Sequence, residues 1–510
     1  MTDLPQRLGV VGAGTMGAGI AQLGVQAGIE TWLHDPFPEA LERGEGYVRK
    51  YAEDAASAHL HLAQRLEDLA GCELVIEAAP ERASLKSNLF AQLSEACGPG
   101  TVLATNTSSI LVTSLAGAAA EPDHVVGMHF FNPPPLMKLL EVIAAEQTGD
   151  HALAVARATG EAMGKQVIVA NDGPGFLVNR CGRPFGAESL RLLQERVATH
   201  EQIDRIVRLG GGFRMGPFEL MDLVGIDVGF EVAKSFDAQS FGEPRWKPSP
   251  LQARKVAAGT LGRKSGSGWY EYAEDGSYRS DDPPALEPGG GDGERVAIDG
   301  SGALAQELRE RANQAGFDAR APEDFGGSDE PELIVDASVP APAGDLGAPD
   351  GGPPLVAVCA DRSLAARGDP TAAGFHLLPP LEGAKLVELT RLPTTPEATA
   401  RAAQRFFTRC GFHHEWVGDA PGLVLGRIVA QLVNEAAFAV GEGVGAPADV
   451  DAGLELGLAH PRGPVAWGGA IGFDHVLAQV DGLWDDLRDP RYRAAPVLRR
   501  GGSHGWPQPT

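Results

Sequence analysis

The chain has 510 residues, of which 43% are hydrophobic and 22% charged, and a formal charge of −25 at pH 7. That acidity argues against nucleic acid or an anionic membrane as partner, and no apolar run reaches the ~18 residues of a membrane helix. Five cysteines (Cys72, Cys97, Cys181, Cys359 and Cys410) without CxxC spacing speak for a reducing compartment and against zinc or disulfides. The opening MTDLPQRLGVVGAG lacks a basic stretch followed by an apolar one, so no export signal is expected and the expected location is the cytoplasm.

RLGVVG (7–12) is a short apolar run ending in glycine and predicts a buried strand. A helical pattern follows to Gly28, where glycine ends it. TWLHD (31–35), CELVIEAAPE (72–81) and TVLATNTSSI (101–110) predict further strands, the last two each after a helical stretch. Strand–helix alternation of this kind predicts an α/β, doubly wound parallel sheet of Rossmann type, here spanning 1–172. From 173 to 274 the pattern is helical, with GWYEY (268–272) as its one strand-like run. The segment 275–295, rich in Pro, Gly and Asp, predicts a linker.

The plan then repeats. ERVAIDGSGALAQELRERANQAGFDA (294–319) lines up with QRLGVVGAGTMGAGIAQLGVQAGIET (6–31), and Gly127–Asp227 aligns with Gly374–Asp474 without a gap. The second copy predicts a reduced Rossmann-like domain at 296–418 and a second all-α domain at 419–510. A period this long is a duplication rather than a solenoid.

GAGTMG (12–17) has the G-x-G-x-x-G spacing. Gly12 permits the tight turn, Gly14 lets a pyrophosphate approach the backbone, and Gly17 lets helix pack on strand. The pyrophosphate would meet free N–H groups at the helix N-terminus. Asp35, at the end of the next strand, offers a carboxylate to a ribose diol and would repel a 2′-phosphate, so the cofactor expected is NAD rather than NADP. Further on, HVVGMHFF (124–131) and LMKLLEVI (136–143) can both extend, and the prolines between them forbid a helical connection. If the strands fold back, His129 and Glu141 fall opposite each other. A carboxylate there can bind one ring nitrogen and leave the other free to act as base.

These features resemble the 3-hydroxyacyl-CoA dehydrogenase family through nearly all of 6–272. The matching stretches are GAGTMGAGIAQ (12–22), IEAAPE with Lys86, NTSSI (106–110), GMHFFNPPPLMKLLEV (127–142), DGPGFLVNR (172–180) and GRKSGSGWY (262–270). The resemblance implies NAD-dependent oxidation of a (3S)-3-hydroxyacyl-CoA to the 3-ketoacyl-CoA. It implies that His129 is the catalytic base and Glu141 its orienting carboxylate. Ser108 and Asn179 would bond the reacting oxygen, and Glu81, Lys86, Asn132 and Lys264 would lie near the cofactor. The two-copy layout resembles bacterial members acting on 3-hydroxybutyryl- or 3-hydroxyadipyl-CoA, in fatty acid or phenylacetate breakdown. One departure concerns the segment between Asp35 and Leu74, which is shorter than the helical hairpin usual in the family and holds only Arg43, Arg49, Lys50 and Arg65 as bases. Two alternatives stay open: a dehydrogenase of free hydroxyacids, and a non-catalytic member.

In the second copy Ala305 replaces the third glycine, Pro379 stands for Asn132 and Gly426 for Asn179, while His376 and Glu388 persist. This copy is expected to bind no NAD. Since the family's helical domains commonly pair between chains, the two in this chain are expected to pair internally as a pseudo-dimer, with a further homodimer left open. No metal is expected.

Overall fold

The computed structural model describes residues 4–279, 282–326, 329–341, 352–501 and 506. Parts of the expected linker and second copy, at 280–281, 327–328, 342–351, 502–505 and 507–510, lie outside the described residues. Eight strands form the first sheet: β1 (Arg7–Val11), β2 (Glu30–His34), β3 (Leu60–Ala63), β4 (Leu74–Glu77), β5 (Val102–Thr105), β6 (Val125–Phe130), β7 (Leu139–Ala144) and β8 (Gln166–Asn171). Their order is β3-β2-β1-β4-β5-β6-β7-β8. The central strands are buried on both faces, which is why they read as continuous apolar runs rather than as alternation. Leu74 and Ile76 point into one core cluster with Leu8, Ile20 and Leu33. Val75, between them, points into the other with Phe90 and Leu103, as the two-residue side-chain period requires.

Six strands run parallel, as the sequence predicts, but the last two do not. β7 turns back antiparallel to β6, and β8 runs parallel to β7. Two other expectations need correction. The segment 36–73 contains helices Pro38–Tyr51 and Glu53–His59 and then β3, an edge strand that no sequence pattern had marked. LHLA is short and mostly exposed, and its pairing depends on β2, where Glu30 holds both His59 (2.7 Å) and His61 (2.6 Å). Conversely, GWYEY forms no strand. The N–H groups of Trp269 and Tyr270 donate to the Asp222 carboxylate (2.9 Å each), and Tyr272 Oη does the same (2.9 Å). The donors that a ladder would need are already taken.

The second sheet comprises β9 (Arg295–Asp299), β10 (Asp318–Arg320), β11 (Leu333–Asp336), β12 (Leu355–Val358), β13 (Ala373–His376), β14 (Leu386–Arg391) and β15 (His413–Trp416). Its order, β10-β9-β11-β12-β13-β14-β15, repeats the first sheet without a counterpart of β3. The expected linker has no helix or strand among its described residues before Arg295, where β9 begins, yet it is tied down. Gly289 N donates to Arg409 O and Gly291 N to Ala315 O (2.8 Å each), and Asp282 accepts from Arg208 (2.7 and 2.9 Å). Tertiary partners satisfy a backbone that composition alone marks as free.

The chain divides into two compact units that do not follow chain order. The first holds the residues up to Cys181 together with Glu442–Ala459; the second holds Gly182–Gly441 and the residues from His460. In the first unit, helix Pro447–Gly457 packs on β7 and β8, and Asn171 N donates to Val444 O (2.8 Å). In the second, helix His200–Gly211 packs on β14, and Gly418 N donates to Val197 O (2.7 Å). These are the same contacts at aligned positions of the two copies. No helix among the described residues is long and apolar enough to cross a membrane.

Candidate active site

The first βα turn of the eight-stranded sheet is shaped by its glycines. Gly12 has φ +100°, and a Cβ there would lie 2.7 Å from Ala78 O. A Cβ on Gly17 would lie 1.7 Å from Gly12 O, so the helix can start this close to β1 only without a side chain. Gly14 has nothing within 4 Å of its Cβ position. It precedes helix Thr15–Gln26, which has no side-chain cap and no acidic residue in its first turn. Open space before uncapped N–H groups suits a pyrophosphate. Asp35 Oδ2 accepts from Ala13 N (2.8 Å) and Oδ1 from Phe37 N (3.0 Å), which ties the carboxylate to the glycine turn. The residues present fit NAD.

The prolines turn β6 into β7 so that His129 stands opposite Glu141 in the register. His129 Nδ1 donates to Glu141 Oε2 (2.9 Å), and both side chains are buried. Glu141 Oε1 accepts from Leu177 N (2.8 Å) and Val178 N (3.1 Å), at the start of helix Val178–Gln194. The carboxylate is thus fixed from three sides and fixes the ring tautomer in turn. Phe131 and Phe176 flank the imidazole at 4.5 and 6.0 Å between ring centroids. Lys165 holds the proline turn itself, donating to Pro134 O (2.6 Å) and Met137 O (2.7 Å); burial holds its ammonium below the ordinary lysine range. Pro134 and Pro135 would each lie 3.1 Å from a Cβ on Gly19, so the turn rests on the helix of the glycine motif.

Ser108 is exposed on the loop after β5, and its carbonyl accepts a long bond from Asn179 Nδ2 (3.5 Å). Glu81 organises this loop: its Oε1 accepts from Ser108 N (3.1 Å), Ser109 N (3.2 Å) and Ser109 Oγ (2.9 Å). Burial pushes Glu81 up, but the Lys86 ammonium and the hydroxyls of Thr107 and Ser109 outweigh it and hold the carboxyl below its usual range. Lys86, 1% exposed, is enclosed by Glu77 (2.8 and 3.0 Å) and Glu81 (3.2 Å). It braces both carboxylates beneath the loop after β5. Asn132 is exposed at the start of the proline turn. Lys264 belongs to the second unit, where it pairs with Asp227 (2.5 Å). Sequence reasoning missed Glu77, Thr105, Asn106 and Lys165. Glu77 accepts from Thr105 Oγ1 (2.8 Å), and Asn106 Oδ1 from Phe130 N (2.8 Å). A carboxylate ending the buried run LVIE, with a lysine in the first turn of the helix that follows, was the one available signal.

The aligned position in the second sheet is built differently. His376 Nδ1 lies 3.9 Å from Glu388, outside hydrogen-bond range, and neither ring nitrogen has a partner. Burial drives the imidazole down to about 3, with His475 adding to the effect, and drives the Glu388 carboxyl up to about 8. A Cβ on Gly426 would lie 2.2 Å from His376 Cε1, so the ring fills the space where the first copy has Asn179. Among the described residues no cluster of His, Cys, Asp or Glu could hold a metal ion.

Comparison with known proteins agrees with this architecture. The family model "3-hydroxyacyl-CoA dehydrogenase, NAD binding domain" matches residues 7–173, and "3-hydroxyacyl-CoA dehydrogenase, C-terminal domain" matches both 175–272 and 422–508. The chain is 33% identical over 508 residues to a 3-hydroxyadipyl-CoA dehydrogenase of Escherichia coli K12, covering 97% of each chain. A probable 3-hydroxybutyryl-CoA dehydrogenase of Deinococcus radiodurans is 41% identical over 278 residues, 52% of this chain and 100% of that one. The crystal structure of a 3-hydroxybutyryl-CoA dehydrogenase from Escherichia coli K12 superposes with a TM-score of 0.77 at 31% identity, covering 97% of this chain and 98% of that one. The chain belongs to the 3-hydroxyacyl-CoA dehydrogenase family, whose NAD-binding domain it carries at its first sheet.

Proposed function

We propose that this chain oxidises a (3S)-3-hydroxyacyl-CoA of the 3-hydroxybutyryl or 3-hydroxyadipyl class, with His129 as base. The observation that carries the reading is the buried His129–Glu141 pair, fixed by two backbone N–H groups. His129 Nε2 takes the proton of the substrate hydroxyl, and Glu141 stabilises the imidazolium that results. Ser108 and Asn179 donate to the oxygen as charge develops on it. Gly12, Gly14, Gly17 and Asp35 would hold NAD, which would supply the hydride acceptor for C3. Glu81 and Lys86 hold the Ser108 loop, and Asn132 completes the cofactor's surroundings.

We also read 1–172 and 173–274 as the working half, and 296–418 and 419–510 as a second half that binds no NAD, joined by 275–295. The two helical domains then pair within one chain as a pseudo-dimer. Reciprocal bonds at aligned positions support this: Arg427 pairs with Glu195 (2.6 Å), and Arg180 with Glu442 (2.7 Å). The setting for such an enzyme is the cytoplasm, in acyl-CoA breakdown.

The test is NADH oxidation with acetoacetyl-CoA and then with 3-oxoadipyl-CoA, each repeated with NADPH. Turnover with NADH and a marked preference over NADPH is expected, and the kcat/KM ratio of the two esters assigns the acyl class. Turnover of free acetoacetate but of neither ester would overturn the reading.

A further inference from the structure

One segment of the first compact unit comes from the second copy, Glu442–Ala459, and it packs on several residues that support the His129–Glu141 pair. At its end, a Cβ on Gly457 would lie 3.2 Å from Phe131 Cε1 and 2.9 Å from Leu139 Cδ2, and Phe131 is the ring nearest His129. Earlier in the segment, a Cβ on Gly445 would lie 2.6 Å from Leu177 Cδ2, and one on Gly453 2.8 Å from Val178 Cγ2. Leu177 and Val178 are the residues whose N–H groups fix Glu141. At its start, Glu442 pairs with Arg180, the neighbour of Asn179, and Gly443 O accepts from Asn171 Nδ2 (2.7 Å). An imidazole held at Nδ1 can still tilt about that bond, so what packs on its faces sets where Nε2 points. Misplacement of a catalytic group by ~1 Å costs on the order of 100-fold in rate.

We propose that helix Pro447–Gly457 is a positioning element of the working site, with Gly457 as the positioning residue that seats Phe131 against His129. The second copy, without chemistry of its own, is then a required part of the first copy's site. This rests on His129 being the base.

The duplication supplies the control. Gly210 occupies the aligned position on helix His200–Gly211, where a Cβ would lie 3.4 Å from Leu386 O and Leu425 Cδ2. That helix packs on β14, which bears the unbonded His376–Glu388 pair. In the full-length enzyme, Gly457→Val is expected to lower kcat about 10- to 100-fold with KM for NADH unchanged, and to move the acid limb of the kcat/KM–pH profile. Gly457→Ala, the milder change, should show the same split to a smaller degree and serves if the valine variant does not fold. Gly210→Val should lose comparable thermal stability and keep wild-type kinetics. Wild-type kcat and an unmoved profile in a folded Gly457 variant would overturn the proposal, as would an equal kinetic loss in Gly210→Val. His129→Ala is assayed alongside: an inactive His129→Ala beside fully active Gly457 variants sinks the positioning role alone, whereas an active His129→Ala sinks the base assignment beneath it.

Discussion

At the scale of single residues, the proposed roles of two side chains each have a separable test. His129 has one nitrogen committed to Glu141, so only the other can serve substrate. His129→Ala should lower kcat by roughly 100- to 10,000-fold, the usual worth of a general base, while fluorescence titration still detects NADH binding. Retained turnover would end the assignment. Asp35 was legible as a ribose ligand from its spacing behind the glycines. What spacing did not reveal is that its carboxylate also accepts from Ala13 N and so braces the glycine turn. Asp35→Ala should therefore raise Kd for NADH about 10- to 100-fold, the loss expected of charge-assisted hydrogen bonds. kcat at saturation should change far less. An unchanged Kd would remove Asp35 from the cofactor site.

At the scale of elements, the turn of three prolines and the loop after β5 are held by two lysines whose burial the sequence did not mark. Lys165 seats the prolines and Lys86 seats Glu77 and Glu81. Lysines on amphipathic helices are usually solvated, and nothing local distinguishes one that is 1% exposed. Lys86→Met should destabilise the chain by about 3–5 kcal/mol, because it strands the fully buried Glu77 carboxylate. Urea denaturation checks this, and a loss under about 1 kcal/mol would mean the pair is solvated after all. The same limit explains β3 and GWYEY. A short edge strand is made by its neighbour's hydrogen bonds, and a strand-like run is unmade when a distant carboxylate, Asp222, takes its N–H groups.

At the scale of the whole molecule, the second copy shows how a retained motif can sit in a different environment. His376 and Glu388 keep their register, yet burial keeps the imidazole neutral down to about 3. Above pH ~6.5 the ring is neutral in folded and unfolded chains alike. As pH falls below that, the unfolded chain takes up a proton that the folded chain refuses until about 3, so stability drains across this window. His376→Leu should leave turnover nearly intact and cost some stability at pH 7. Its deficit relative to wild type should shrink by on the order of 2 kcal/mol at pH 5, as read from paired denaturation curves. A deficit constant with pH would show that the ring is already solvated.

The sequence by itself determined the duplication, the Rossmann sheet, the glycine turn with Asp35 and the pairing of His129 with Glu141. The duplication shows in self-alignment of the whole chain, and the others follow from local period, spacing or a turn that prolines enforce, each encoded within a limited stretch. Only the tertiary structure decided that Lys86 and Lys165 are buried and that 275–294 is tethered. It alone revealed that helix Pro447–Gly457 packs on the sheet of the other copy. The tether and the helix depend on surfaces that meet across long stretches of chain, and the lysines, whose partners are nearer in sequence, are buried by the sheet packing around them. Burial and long-range hydrogen bonding are properties of the assembled chain.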